Sequence, residues 1–116
     1  MLFMCSMVRL SLKLATTAQD QLVKLAVALR PLLTEASLQP GCSICWIAAD
    51  LFQPNILHYI EQWSAEADLL VDLSSGRYQR LAEVMEAAAE PPVFTVERVE
   101  RIGGLDYVEA ALKGRS

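Results

Sequence analysis

The sequence predicts an α+β protein whose elements follow the ferredoxin-like order β-α-β-β-α-β. Residues 8–14 alternate between apolar and polar side chains, as in a half-buried strand. Two short apolar segments separated by the loop at 51–55 indicate a central hairpin. Apolar residues recur at helical spacing on either side of that hairpin. This order gives one antiparallel sheet with the helices on one face, and the 116 residues suit a single domain.

The first helix is expected to follow the first strand directly. Thr16 and Thr17 are candidate N-caps, and Gln19 lies three residues after Thr16, as in a capping box. Pro31 lacks a backbone donor and is expected to kink or restart the helix. The apolar stripe of this helix consists of Leu22, Leu25, Ala26, Leu29, Leu33 and Ala36.

The central hairpin is predicted from strands at residues 42–50 and Ile56–Trp63, the second rich in β-branched and aromatic residues. Ser64 is a candidate cap for a second helix, which the sequence Ser-Ser-Gly at 74–76 is expected to break or bend. A charged fourth strand is predicted at 93–102, followed by a short helix at 105–112.

The predicted domain spans residues 1–116. Residues 1–6 are interpreted as a weakly ordered extension and 103–116 as a C-terminal tail or short helix. The net charge of −4 and the absence of a basic cluster argue against a nucleic-acid partner. No apolar run is long enough to span a membrane, and the N-terminus does not resemble a signal peptide. The prediction is therefore a cytoplasmic protein without a membrane association.

The sheet is expected to mediate self-association. Helices on one side of a four-stranded sheet leave its other face bare, and the chain has no further element to cover it. A second copy of the chain is therefore the predicted partner, which gives a homodimer through the sheet face.

Two short motifs resemble those of the antibiotic biosynthesis monooxygenase family. They are Pro40-Gly41-Cys42 and, at the expected separation, Glu61-x-Trp63. The resemblance extends over residues 8–99 and implies a dimeric α+β barrel in which two sheets pack face to face. It also implies a bacterial enzyme that oxidises quinols or anthrone-type polyketides with oxygen, without a metal or flavin cofactor.

The sequence departs from the family pattern in the helix after Trp63. Members resembling this chain carry a histidine there, in the arrangement W…L-x-x-H-L, whereas residues 69–73 read Leu-Leu-Val-Asp-Leu. Asp72 occupies the histidine position, and Arg77 corresponds to a second frequent histidine. Tyr78 matches the usual neighbouring aromatic residue. The missing histidine favours a non-catalytic interpretation.

Alternation places Tyr59, Glu61 and Trp63 on one face of their strand. Trp63 is interpreted either as core packing or as a wall of a cavity where flat aromatic substrates stack. Glu61 is either a paired acid or, if buried and unpaired, a base with a raised pKa.

The second helix supplies the other candidates. Asp72 is interpreted either as a solvated helix residue or as a polar group at a cavity mouth, paired with Arg77 or Arg80. Tyr78 is either core or a ligand contact through its hydroxyl. The predicted catalytic residues are Trp63, Glu61 and Asp72, and the predicted substrate-binding residues are Tyr59, Trp63, Tyr78 and Arg77.

The C-x-x-C sequence at Cys42 and Cys45 is interpreted as structural. Residues i and i+3 of a regular strand point to opposite faces, so the two sulfurs should diverge. A zinc site would need two more ligands, and only Cys5 and His58 remain. His58 is expected on the face opposite Trp63, away from a pocket among the helices. No metal and no cofactor are predicted.

The leading functional prediction is a cofactor-independent monooxygenase acting on a quinol or a polyphenolic or polyketide aromatic compound. The alternative is a non-catalytic module that binds a small ligand or has a regulatory role. A weaker third interpretation is haem handling, which a hemin titration would test.

Overall fold

The computed structural model describes residues 7–114. Its elements, in chain order, are β1 (Met7–Ala15), α1 (Gln19–Ser37), β2 (Cys42–Ala49), β3 (Ile56–Trp63), α2 (Glu66–Leu73), α3 (Arg77–Met85), β4 (Val93–Val99) and α4 (Leu105–Lys113).

The four strands form one sheet in the order β2-β3-β1-β4, and every neighbouring pair is antiparallel. The predicted ferredoxin-like α+β fold is confirmed. The boundaries of β3 agree with those predicted, and β4 ends three residues earlier, at Val99. The expected break at 74–76 separates α2 from α3.

One face of the sheet packs against the helices and forms the core. The alternate residues of β1, from Val8 to Leu14, are almost fully buried. In the register of β1 and β3, Leu10 pairs with Glu61 and Leu12 with Tyr59, so these residues share that face. α1 contributes Leu22, Leu25, Leu29, Leu32 and Ala36 to the core. The alternation seen in the sequence therefore follows this division between two faces.

The opposite face of the sheet presents apolar side chains. Ile44 and Trp46 on β2 are about half exposed, at 48% and 44%. Ile60 pairs with Trp46 across the ladder and is partly buried. These side chains form an apolar patch on the face away from the core.

The start of α1 differs from the prediction. The helix begins after Ala18, which makes no side-chain cap, so the capping box at Thr16 and Gln19 is wrong. The Thr16 hydroxyl instead donates to the backbone oxygens of Ala18 and Asn55, which joins the end of β1 to the loop before β3. α1 also continues through Pro31 without restarting.

The start of α2 also differs from the prediction, whereas the C-terminal helix agrees with it. Ala65, and not Ser64, is the N-cap residue of α2. α4 forms where a short helix was expected and has no buried residue. The predicted extension at 1–6 lies outside the described residues. Within 7–114, no helix is long and apolar enough to cross a membrane, and the cytoplasmic location stays a prediction.

A β-bulge at the start of β2 changes the orientation of its residues. Cys42 pairs with Trp63, but Ile44 pairs with Gln62, so the segment from Cys42 to Ile44 contains one extra residue. Cys45 then pairs with Glu61. Because Trp63 and Glu61 share the core face, the two cysteines do as well. The expectation that their sulfurs point to opposite faces is wrong.

Candidate functional site

Five of the predicted site residues meet in one buried cluster, which we call the Arg77 cluster. β3 contributes Tyr59, Glu61 and Trp63 from consecutive positions of its core face. Asp72 lies in the last turn of α2, and Arg77 is the first residue of α3. The break between the two helices turns the chain so that Arg77 contacts both Asp72 and Glu61 of β3.

Arg77 is the centre of the hydrogen-bond network. Its Nη1 and Nη2 donate to the two carboxylate oxygens of Glu61, at 2.8 and 3.1 Å. Its Nε donates to Asp72 Oδ1 at 3.1 Å, and its Nη2 donates to Asp72 Oδ2. The guanidinium therefore forms a two-pronged ion pair with each carboxylate, which is the strongest geometry available to arginine.

The aromatic residues complete the network. The indole Nε1 of Trp63 donates to Glu61 Oε1 at 3.1 Å, and the Tyr59 hydroxyl donates to Glu61 Oε2. Arg77 Nη1 also lies 3.2 Å from the Tyr59 oxygen, which accepts from it. Each polar side-chain atom of the Arg77 cluster thus has a partner, as buried polar groups require.

The Arg77 cluster is almost fully buried, and only Asp72 and Arg77 reach a surface depression, which has a volume of about 200 Å³. Tyr59, Glu61 and Trp63 have an exposed fraction of 0%, and Asp72 and Arg77 of 5%. Burial and the neighbouring Glu61 charge raise the pKa of Tyr59 far above its ordinary value of 10.0. Burial acts to lower the pKa of Arg77, but its hydrogen bonds to Asp72 and Glu61 raise that pKa overall. The cluster therefore holds a charged arginine and a neutral tyrosine.

These contacts decide between several interpretations of single residues. Glu61 is a paired buried acid, and Asp72 is buried, so the solvated interpretation of Asp72 is wrong. Arg77, and not Arg80, is the partner of Asp72, because Arg80 pairs with Glu35 at 2.7 Å. Trp63 packs in the core with its N–H satisfied. Catalytic and substrate-binding roles for these residues stay predictions.

Tyr78 lies apart from the cluster, in a groove between α3 and β4 that we call the Tyr78 groove. The groove has a volume of about 380 Å³ and is mostly apolar. Tyr78 is 37% exposed and meets Phe94 edge to face, with ring centroids 6.3 Å apart. The lining residues are Tyr78, Ala82, Met85, Glu86, Pro92 and Phe94.

Sequence reasoning missed most of this lining. Phe94 pairs with Leu12 in the sheet, which places it on the helix face of β4. The charged sequence of β4 does not indicate which of its residues face the helices, and the register with β1 reveals them.

The remaining candidate, His58, lies on the sheet face opposite Trp63, as expected. It pairs with Lys13 and Ala48 across the ladders, and its Nε2 lies 3.0 Å from Asp50 Oδ2. That hydrogen bond is the main cause that lowers the pKa of Asp50. Among residues 7–114, no group of three or more histidine, cysteine, aspartate or glutamate side chains could hold a metal ion.

Comparisons with known proteins show the fold. A protein from Nitrosomonas europaea named "putative antibiotic biosynthesis monooxygenase" superposes with a TM-score of 0.73 at 15% identity, over 90% of this chain and 100% of that one. A protein of the same name from Deinococcus radiodurans gives 0.72 at 17% identity, over 84% and 96%. A conserved protein from Methanosarcina mazei Go1 gives 0.72 at 18% identity, over 83% and 95%.

The two comparisons that use sequence gave no relative. No protein-family model matches the chain, and no curated protein matches it. The chain thus shares its fold with these three proteins, two of which are named putative antibiotic biosynthesis monooxygenases.

Proposed function

We propose that the protein binds a small, flat aromatic molecule in the Tyr78 groove. The observation that carries this proposal is the contrast between two sites. The Arg77 cluster is filled by its own side chains, whereas the Tyr78 groove is open and lined by two aromatic rings. Ligand pockets in proteins combine an apolar lining with a few polar groups in this way.

The chemistry of the groove favours a phenolic or quinol ligand. Phe94 and Tyr78 offer ring faces and edges for aromatic contacts, which stabilise a complex beyond the area that they bury. The Tyr78 hydroxyl and the Glu86 carboxylate are the polar groups among the lining residues. A carboxylate accepts hydrogen bonds only, so it suits a ligand that carries hydroxyl groups.

Oxygenation of that ligand is the second candidate function. It is favoured by the neighbours named monooxygenases and by Glu86, a proton acceptor in the groove. With an anthrone-type substrate, Glu86 would remove a proton from the ring methylene, and the resulting carbanion would reduce oxygen. One oxygen atom would remain on that carbon as a carbonyl, and the other would leave as water.

Glu61 and Asp72 are less suited to this proton transfer. Both carboxylates form ion pairs with Arg77, so hydrogen bonds already occupy their oxygens. Either residue would act as a base only if the Arg77 cluster opened to admit substrate.

A blocked groove tests the binding proposal. Titration with the quinol menadiol under anaerobic conditions, followed by tryptophan fluorescence or calorimetry, should show saturable binding to the wild-type protein. Ala82→Phe fills the groove and should weaken binding at least about tenfold, which corresponds to about 1.4 kcal/mol. Ala87→Phe adds the same ring at an exposed site outside the lining and should bind like the wild type. Equal affinity in both variants would refute the proposal.

Oxygen consumption separates the two candidate functions. Steady uptake with anthrone above the spontaneous rate, with anthraquinone as the product and abolished by A82F, supports an oxygenase. Binding without uptake supports the non-catalytic module. Glu86→Gln should then reduce turnover more than binding if Glu86 accepts the proton, because the amide retains the shape and loses the basicity.

We also propose that two copies associate through the apolar patch of the sheet. Ile44 and Trp46 are exposed there, beside the partly buried Ile60. Large aromatic and aliphatic side chains on a sheet face are typical of the centre of a protein interface. This patch and the Tyr78 groove lie on opposite faces, so dimer formation leaves the groove accessible.

A further inference from the structure

The β-bulge in β2 brings Cys42 and Cys45 to neighbouring positions on one face. Their partners in β3 are Trp63 and Glu61, which are two residues apart. Positions two apart on a strand are separated by about 6.6 Å. This separation falls within the range of Cα distances that disulfides span, about 4.4–6.8 Å. A regular strand would have placed the two sulfurs on opposite faces.

The side chains of the two cysteines also lie near each other. Each thiol affects the pKa of the other, and their Sγ atoms donate to backbone oxygens, Cys42 to Ile44 at 3.9 Å and Cys45 to Leu33 at 3.5 Å. Both cysteines are free and partly exposed. They line a surface depression of about 290 Å³ together with Ser37, Ser43 and Ile44. A small reagent can therefore reach either sulfur from solvent.

β2 gives this pair room to change its geometry. It is the edge strand of the sheet, so β3 is the one strand that pairs with it. The bulge already interrupts that pairing between Cys42 and Ile44. Backbone adjustment at this point breaks no second ladder, and the local movement that closes a disulfide is therefore modest.

We propose that Cys42 and Cys45 are a reversible redox pair that a small disulfide such as oxidised glutathione converts to an intramolecular disulfide. One thiolate attacks the glutathione disulfide and releases one glutathione, and the second protein thiolate displaces the other. The protein loses two electrons and two protons, which leave on the two glutathione thiols. The pair is independent of the Tyr78 groove, so either proposal can fail alone.

The surroundings of the pair determine how it reacts. Burial is the main cause that raises the pKa of Cys42 to about 12, with further contributions from Cys45 and Glu61. Burial also raises the pKa of Cys45. Strongly oxidising disulfides are those whose thiolates are stabilised, and these thiolates are not. The disulfide should therefore form slowly at neutral pH and resist reduction once formed.

Oxidation in glutathione redox buffers tests the proposal. The Cys5→Ser variant removes the third cysteine of the chain. After incubation, remaining thiols are alkylated, and the intact mass and peptide map are recorded. The expected product has lost two hydrogen atoms, takes up no alkylating agent and contains a Cys42–Cys45 cross-link. Its rate of formation should rise about tenfold per pH unit between pH 7 and 9, because thiolate is the reacting form.

A matched control keeps two thiols but moves one to the other face. In the variant C5S/C42S/I44C, the new thiol is on the face of Ile44, opposite Cys45. This variant should form glutathione adducts and no internal cross-link. Stable glutathione adducts on C5S itself, or cross-linking at the same rate in the control, would overturn the proposal. Circular dichroism spectra confirm that both variants are folded.

Discussion

Arg77 connects two carboxylates that would otherwise repel each other in the core. Glu61 and Asp72 both lie within hydrogen-bond distance of its guanidinium, and all three side chains are at least 95% buried. A buried ion pair contributes little net stability compared with apolar packing, but removal of one member leaves a buried charge without compensation. The effect of a substitution at Arg77 should therefore be large.

Arg77→Met should lower the free energy of unfolding by about 3–5 kcal/mol, because Met fills a similar volume and removes the only cation of the cluster. Arg80→Met is the control, since its ion pair with Glu35 is largely exposed and contributes about 0–1 kcal/mol. Urea denaturation followed by circular dichroism measures both. Similar losses in the two variants would mean that the Arg77 cluster does not carry the stability assigned to it.

At the level of single elements, strands with clear alternation were predictable and their irregularities were not. β1 follows from its period-two pattern, because one of its faces is buried along its whole length, and β3 follows from its β-branched and aromatic residues. The bulge in β2 has no such signal. Ser43 is the kind of residue found in ordinary exposed strands, and its hydroxyl bonds to the Gln62 backbone only once β2 and β3 are paired.

The predictions of the helix N-caps were wrong for a related reason. Thr16 is a good cap by type, but its hydroxyl bonds to the loop oxygen of Asn55, 39 residues away in sequence. A contact of this length is invisible in local sequence. The site shows the same division: the residues of the Arg77 cluster and an Asp72–Arg77 pair were predicted, whereas the contacts of Arg77 with β3 and the position of Phe94 depend on tertiary structure.

The turn into β2 requires glycine. Gly41 has φ of +89°, and a Cβ there would meet the Asp68 side chain. Gly41→Ala should therefore destabilise the protein by more than about 1 kcal/mol. Gly76→Ala is the matched control: its φ is −68°, and it has nothing within 4 Å of the added Cβ, so stability should be equal or higher. Thermal unfolding measures the stability of both variants, and a lower melting temperature for G76A than for G41A would contradict this prediction.

For the whole molecule, the prediction concerns assembly. Trp46→Glu places a charge in the apolar patch and should convert a dimer to a monomer at micromolar concentration. Val71→Glu adds the same charge on exposed α2, outside the sheet, and should leave the assembly unchanged. Sedimentation equilibrium distinguishes the two states. A wild-type protein that is monomeric throughout, or a W46E variant that remains dimeric, would exclude an interface at this patch.

The buried Arg77 cluster also constrains how the chain can evolve. All polar atoms of the cluster are paired, so a change at Glu61, Asp72 or Arg77 alone leaves a buried charge or donor without a partner. Joint replacement of the three by apolar residues of similar volume can be tolerated. The three positions should therefore show strong epistasis. Among relatives of this protein they are expected to vary as a set, so that an arginine at 77 accompanies the aspartate at 72.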